Sequence, residues 1–195
     1  MTKLDRRVQQ VLDEPRVSTA LRNALRLAQQ ANLPDLERWC RLELGGYWGS
    51  NLAMGEDITV PEYRAVVGQH VNVFGQVLLL EPDFEFINET RLRHGVEELE
   101  FFAEKHKVVT MHDPWMCQRI REHLHVEVYA YRFTAVHVVG ILSHIRTELA
   151  ERLRRLQPLR VVEDTKLDEV LMLRPNYHGV GIDLRALWRR WKGSG

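Results

Sequence analysis

Two cysteines, Cys40 and Cys117, are all that this chain contains, and neither belongs to a CxxC pair, so no structural zinc site is indicated. Charge of one sign is not in excess either. The 27 basic residues balance 27 acidic ones, which argues against attraction of the whole protein to nucleic acid or to an anionic membrane, although local basic patches remain open. No apolar run approaches the roughly 20 residues that cross a bilayer. The opening MTKLDRRVQQ is charged throughout and carries no signal-peptide core. Internal repeats, low-complexity tracts, a GxxxxGK[ST] phosphate loop, HExxH and a Cys/His quartet are all missing. Gly179-Val180-Gly181 lacks the strand and third glycine of a dinucleotide fingerprint and reads as a tight turn. These absences lead to the expectation of a cytoplasmic protein with no membrane span, cofactor or metal.

What is present is globular. Of 195 residues, 45% are hydrophobic and 28% charged, enough for one ordinary domain with or without a tail. Leu4, Val8, Val11 and Leu12 make one helical stripe that Pro15 ends, with Thr2 as its expected cap. Ser18 is the expected cap of a second helix with the stripe Leu21, Ala24, Leu25, Ala28 and Ala31. Pro34 opens a third helix, whose apolar face is Leu36, Trp39 and Cys40, with Glu43 on or beside it. Gly45-Gly46 stops it, completing a helical hairpin. Residues 48–57 read as loop, residues 63–73 as a strand bulged at Gly68, and residues 76–80 as a second strand. Helices are predicted over 95–107 and from Pro114, capped by Asp113, with Trp115, Met116, Ile120 and Leu124 facing inward. Residues 126–133 alternate as a third strand. Thr134 then caps the longest helix, whose spine is Val138, Leu142, Ile145, Leu149, Leu153 and Leu156.

The stretch Leu21–Arg64 joins unlike residue types in a specific order: Leu21, Arg22, Ala24, Leu27-Ala28, Trp39, Glu43-Leu44, Gly46-Tyr47 and Pro61-Glu62-Tyr63-Arg64. It resembles the N-terminal signature of the AbiTii domain, a bacterial domain named for abortive-infection, anti-phage systems. Gly140-Ile141-Leu142, Ile145-Arg146 and Leu149 are similar to that family's late helix. The resemblance implies an α+β domain of prokaryotic conflict systems; the residue patterns above predict its parts, an N-terminal helical hairpin, a small mainly antiparallel sheet and a long amphipathic helix. Residues 1–158 are assigned to it, and 159–195 to a C-terminal extension holding a short basic, tryptophan-bearing helix. It supplies no catalytic set.

Two places invite chemistry. Glu43 sits on a mainly apolar face and Arg64 lies early in the next strand, so folding the hairpin onto the sheet would bring them together. The pair reads either as a ligand-binding or acid/base carboxylate, or as a buried ion pair that fixes hairpin to strand; the second reading is preferred. In the tail, Arg185, Arg189 and Arg190 interleave with Trp188 and Trp191. Self-docking of that helix ranks first, docking on a protein partner second and nucleic-acid binding third. Nine histidines, including His123/His125 and the pair His137/His144, form no metal-ligand motif. Both cysteines read as packed thiols.

The functional expectation is a non-catalytic component of an anti-phage system, a sensor, scaffold or regulator acting through protein contacts. Its partner would be an effector or regulator of that system, such as the other half of a toxin–antitoxin pair; homo-oligomer formation is open. The alternatives are a toxin-type enzyme acting on nucleic acid or nucleotides, and a nucleic-acid or nucleotide sensor.

Overall fold

Helix α1 (Lys3–Leu12) packs Val8 and Val11 into the core and stops two residues short of Pro15. The computed structural model describes residues 3–79 and 87–156; the expected cap Thr2, the tail 159–195 and its patch of Arg185, Trp188, Arg189, Arg190 and Trp191 lie outside them. Helix α2 (Val17–Ala31) buries Leu21, Ala24, Leu27 and Ala28. Its cap position is Arg16, not Ser18. Ser18 lies inside the first turn, where its amide (3.1 Å) and hydroxyl (2.7 Å) both donate to the Glu100 carboxylate. The first-turn amides of a helix have no partner within it, and the positive dipole end there favours a carboxylate. Glu100, buried in another helix, therefore does from a distance what a local cap would do. Asn32 ends α2 in the left-handed conformation, and α3 (Pro34–Gly45) starts on Pro34 and turns Leu36, Trp39, Cys40 and Glu43 inward.

The region expected as one bulged strand is divided between two sheets. Glu62–Arg64 form a single 3-10 turn, β1 is Ala65–Val67 and β2 is Gln69–Val71. β1 pairs antiparallel with β3 (Glu89–Arg91), placing Val66 opposite Thr90. β2 pairs antiparallel with β5 (Ala130–Thr134), which pairs in turn with β4 (Val108–Met111), so that the second sheet runs β2-β5-β4. Gly68 sits at the change of sheet, where an added methyl group would collide with the Arg132 carbonyl and the Tyr131 ring. The Tyr131 hydroxyl donates to the Val66 (3.1 Å) and Asn88 (2.6 Å) carbonyls, joining the two sheets at this point. Of the expected strand 76–80, residues 76–79 are described and make no regular strand: a turn held by the Asn72 side chain leads only to a bridge between Val71 and Val77. β3 and β4, of three and four residues, have no counterpart in the sequence reading.

Helix α4 (Val96–Lys105) precedes β4, and α5 (Pro114–Leu124) follows it. Asp113 caps α5 by accepting from the Met116 amide at 3.1 Å. The inner face of α5 is Cys117 and Ile120. Trp115, expected inside, is 70% exposed, with Arg119 over its ring. It sits one position off the stripe that Met116, Ile120 and Leu124 define. β5 begins at Ala130, later than the alternation predicted, because Val126 and Val128 pack instead into a small second cluster with Cys117 and Ile120. Thr134 closes β5, and α6 (Ala135–Leu156) starts at the next residue, burying Val138, Ile141, Ile145, Leu149 and Leu153. The main core draws on α1, α2, α3, α4 and α6 and on β1, β4 and β5, an α+β arrangement. Arg146 of α6 donates to the Glu14 (2.8 Å) and Pro15 (2.5 Å) carbonyls and so ties the α1–α2 corner to the long helix. Among the described residues no helix is long and apolar enough to cross a membrane.

Candidate functional site

Leu36, Trp39, Cys40 and Glu43 recur at helical spacing, which carries a carboxylate into the interior along with three apolar side chains. Gly46 then takes φ +78°, a conformation only glycine adopts freely, and its missing side chain leaves room for the Arg93 carbonyl. That turn buries Tyr47, whose amide donates to the same Arg93 carbonyl at 2.8 Å. From the other side, Pro61 opens the 3-10 turn that aims Tyr63 and Arg64 at the end of α3.

The structure brings Glu43 and Arg64 together at 2.5 Å, both with no exposed side-chain surface. One oxygen of Glu43, Oε2, accepts from Arg64. The other, Oε1, accepts from the hydroxyls of Tyr47 (2.6 Å) and Tyr63 (2.5 Å). The second Arg64 amino group donates to the Leu92 (3.1 Å) and His94 (2.7 Å) carbonyls, and the guanidinium lies over the Tyr47 ring at 4.7 Å. Burial and then the Glu43 charge hold the Tyr63 phenol up at about 12, and the same causes push Tyr47 up as well. Both therefore remain protonated donors at neutral pH. Tyr63 also stacks on His144 of α6, with ring centroids 4.5 Å apart, and Arg152 lies over the Trp39 ring at 4.7 Å.

Sequence reasoning found the ion pair but not its donors. Tyr47 and Tyr63 were already motif residues. The signal for Tyr47 was its position four after Glu43, but the glycine stop between them hides the helical relation.

Chemically this is a closed polar core. A general base must reach its proton; the Glu43 carboxylate here has no exposed surface and three donors already in place. Two ions out of water are tolerated only when paired and hydrogen-bonded in this way.

Other titratable groups among the described residues are shifted by burial. Cys40 is fully buried, its thiol pushed up to about 12 by burial, and burial raises Cys117 too. His70 and His94 are both pushed down, chiefly by burial. Among the described residues no three His, Cys, Asp or Glu side chains gather to hold a metal. His112 bonds the Tyr129 carbonyl at 2.5 Å. The clefts among the described residues include one of about 550 Å³ between α1 and α2 beside Arg7, Glu14 and Arg26, and one of about 760 Å³ between the 72–76 turn and α5 beside Phe74, Cys117 and Tyr129. Neither is lined by Glu43 or Arg64.

The AbiTii family model matches residues 8–161, a span that contains the helical hairpin, the Glu43–Arg64 cluster, both sheets and α6. No curated protein and no solved structure matches the chain. With most of its length matched, and with Trp39, Glu43, Gly46, Tyr47, Tyr63 and Arg64 gathered at one corner of the fold, the chain belongs to the AbiTii family and takes from it an abortive-infection, anti-phage context.

Proposed function

We propose that this chain serves abortive-infection defence as a non-catalytic component, a sensor, scaffold or regulator that works through protein contacts. The observation that carries the reading is the closure of Glu43. Its two oxygens meet Arg64, Tyr47 and Tyr63 inside the protein, and neither member of the ion pair has exposed surface. The residues that mark the family here serve to hold the hairpin against the first strand. A motif with that job identifies a fold that presents a surface to something else.

The test is direct. Full-length purified protein, incubated with RNA, DNA and nucleotides with and without divalent metal, is expected to leave every substrate unchanged. Turnover that a single polar substitution abolishes while the fold is retained would overturn the reading in favour of a toxin-type enzyme. Retention of nucleic acid without turnover would move the chain to the class of nucleic-acid sensors.

A further inference from the structure

The two outer strands of the β2-β5-β4 sheet are treated differently. The free side of β2 is covered by its own chain, through the Leu78 amide on the His70 carbonyl (2.9 Å) and the Val71–Val77 bridge. β4 has no such cover among the described residues. The Ala135 amide donates to the Lys107 carbonyl (3.1 Å), which sets the phase of the β4–β5 ladder. Val109 and Met111 accordingly turn their backbone groups toward Phe133 and Tyr131 of β5. Val108 and Thr110 turn theirs outward, and both residues are exposed.

An edge of this kind is usually blunted by a lysine or proline within it. β4 reads Val-Val-Thr-Met, uncharged throughout and mostly β-branched. The charges stand at its two ends, with opposite signs: exposed Lys107 before the strand and, after it, half-buried Asp113, one of whose carboxylate oxygens caps α5. Exposed Val136 and Val139, on the first turns of α6, add apolar surface beside the Lys107–Ala135 junction.

We propose that the outer edge of β4 pairs antiparallel with β4 of a second copy of this chain, about a two-fold axis at Thr110. The strand's own pattern argues for that occupant. With Thr110 opposite its symmetry mate, Val108 falls opposite His112 of the other copy and Lys107 opposite Asp113, at both ends. Every outward amide and carbonyl of Val108 and Thr110 then finds a partner. Antiparallel pairing with itself is the arrangement that this order of charges satisfies, and a two-fold interface repeats each contact. The cross-strand threonine pair and the opposite charges are favourable neighbours. This inference does not depend on the defence role proposed above.

Sedimentation of the full-length chain over a range of concentrations tests it. A concentration-dependent dimer is expected. Thr110→Lys sets two like charges on the axis and is expected to abolish the dimer while leaving the far-ultraviolet circular dichroism unchanged. Thr110→Cys reads the geometry separately: residues in a hydrogen-bonded antiparallel pair lie about 5.5 Å apart at Cα, within disulfide reach. It should give a covalent dimer on mild oxidation, whereas Leu52→Cys, fully exposed in a loop, should not. A chain that stays monomeric at all concentrations overturns the proposal. So does a dimer that survives Thr110→Lys, or a Thr110→Cys variant that cross-links no faster than the loop control. Exchange-protected amides at Val108 and Thr110 in a monomer also overturn it, because a segment of the same chain, such as 157–195, then covers the edge.

Discussion

Glu43 and Arg64 form an ion pair with no side-chain surface exposed to solvent, and each depends on the other being there. Two ions removed from solvent carry a penalty of several kcal/mol apiece, returned only through close pairing and complete hydrogen bonding. Here the return comes from one charge-assisted contact, two tyrosine hydroxyls and two backbone carbonyls, and it is incomplete, because the buried Arg64 Nε has no partner among the described residues. Glu43→Gln keeps the shape but leaves the Arg64 charge uncompensated. It is expected to lower the unfolding free energy by about 3–5 kcal/mol, the usual loss on breaking a buried pair. Urea denaturation followed by circular dichroism measures it. A variant as stable as the parent would mean that the carboxylate is not structural and is free for another role. Replacing both partners, as in Glu43→Leu with Arg64→Met, is expected to recover part of the loss. Recovery stays partial because the Leu92 and His94 carbonyls and the tyrosine hydroxyls then lose their partners.

The helices divide into two groups by what they bury. α6 contributes Val138, Ile141, Ile145, Leu149 and Leu153 to the main core and is tied to the α1–α2 corner through Arg146. α5 rests on a smaller cluster of Cys117, Ile120 and Val128, touches the main core through half-buried Met116, and carries Trp115 outward. Regions with few buried apolar contacts open with a smaller free energy than the whole domain. Amide hydrogens in the middle of α5 should therefore exchange through local opening, and those of α6 through global unfolding. Native-state exchange at increasing urea concentration separates the two. Protection in α5 equal to that in α6 would show that the second cluster is coupled to the first. β4 and β3 are short elements of another kind. Three or four residues hold too little alternation to mark a strand, and partners distant in the chain define both.

At the scale of the whole molecule, two histidines, buried His70 and half-buried His94, make stability depend on pH. His70 is fully buried, with one ring nitrogen on the Ile87 carbonyl (3.1 Å) and the other without a partner. His94 packs edge-on against Trp48 and Phe102. Burial lowers the folded pKa of both; the Ile87 carbonyl opposes it for His70 and the Glu98 charge for His94. In the unfolded chain they return to about 6.5. Above that value both states are neutral and the histidines contribute no slope. Below it the unfolded state binds protons that the folded state resists, so stability falls as pH falls, by at most about 1.4 kcal/mol per pH unit for each group. Unfolding free energy should therefore be lower at pH 5.5 than at pH 7.5, and His94→Gln should flatten the difference. An unchanged free energy between those two conditions would refute the assignment.

What the sequence by itself determined is the local grammar and the family. Pro34, Gly46, Asp113 and the apolar spacing of α2, α3 and α6 act within one or two turns, so they are visible in order along the chain. Glu43 was legible as an anomaly, a carboxylate on an apolar face, and Arg64 as its counterpart. The tertiary structure decided what no neighbouring residue encodes. It split the 63–73 run between two sheets at Gly68, because the Arg132 carbonyl and the Tyr131 ring occupy that space. It gave the start of α2 to Glu100, turned Trp115 outward, left the β4 edge open among the described residues, and closed Tyr47 and Tyr63 over Glu43. Each of these depends on contacts between residues far apart in the chain. Hydrogen bonds and excluded volume at such contacts act in space, so a one-dimensional pattern carries the parts of the site but not its closure.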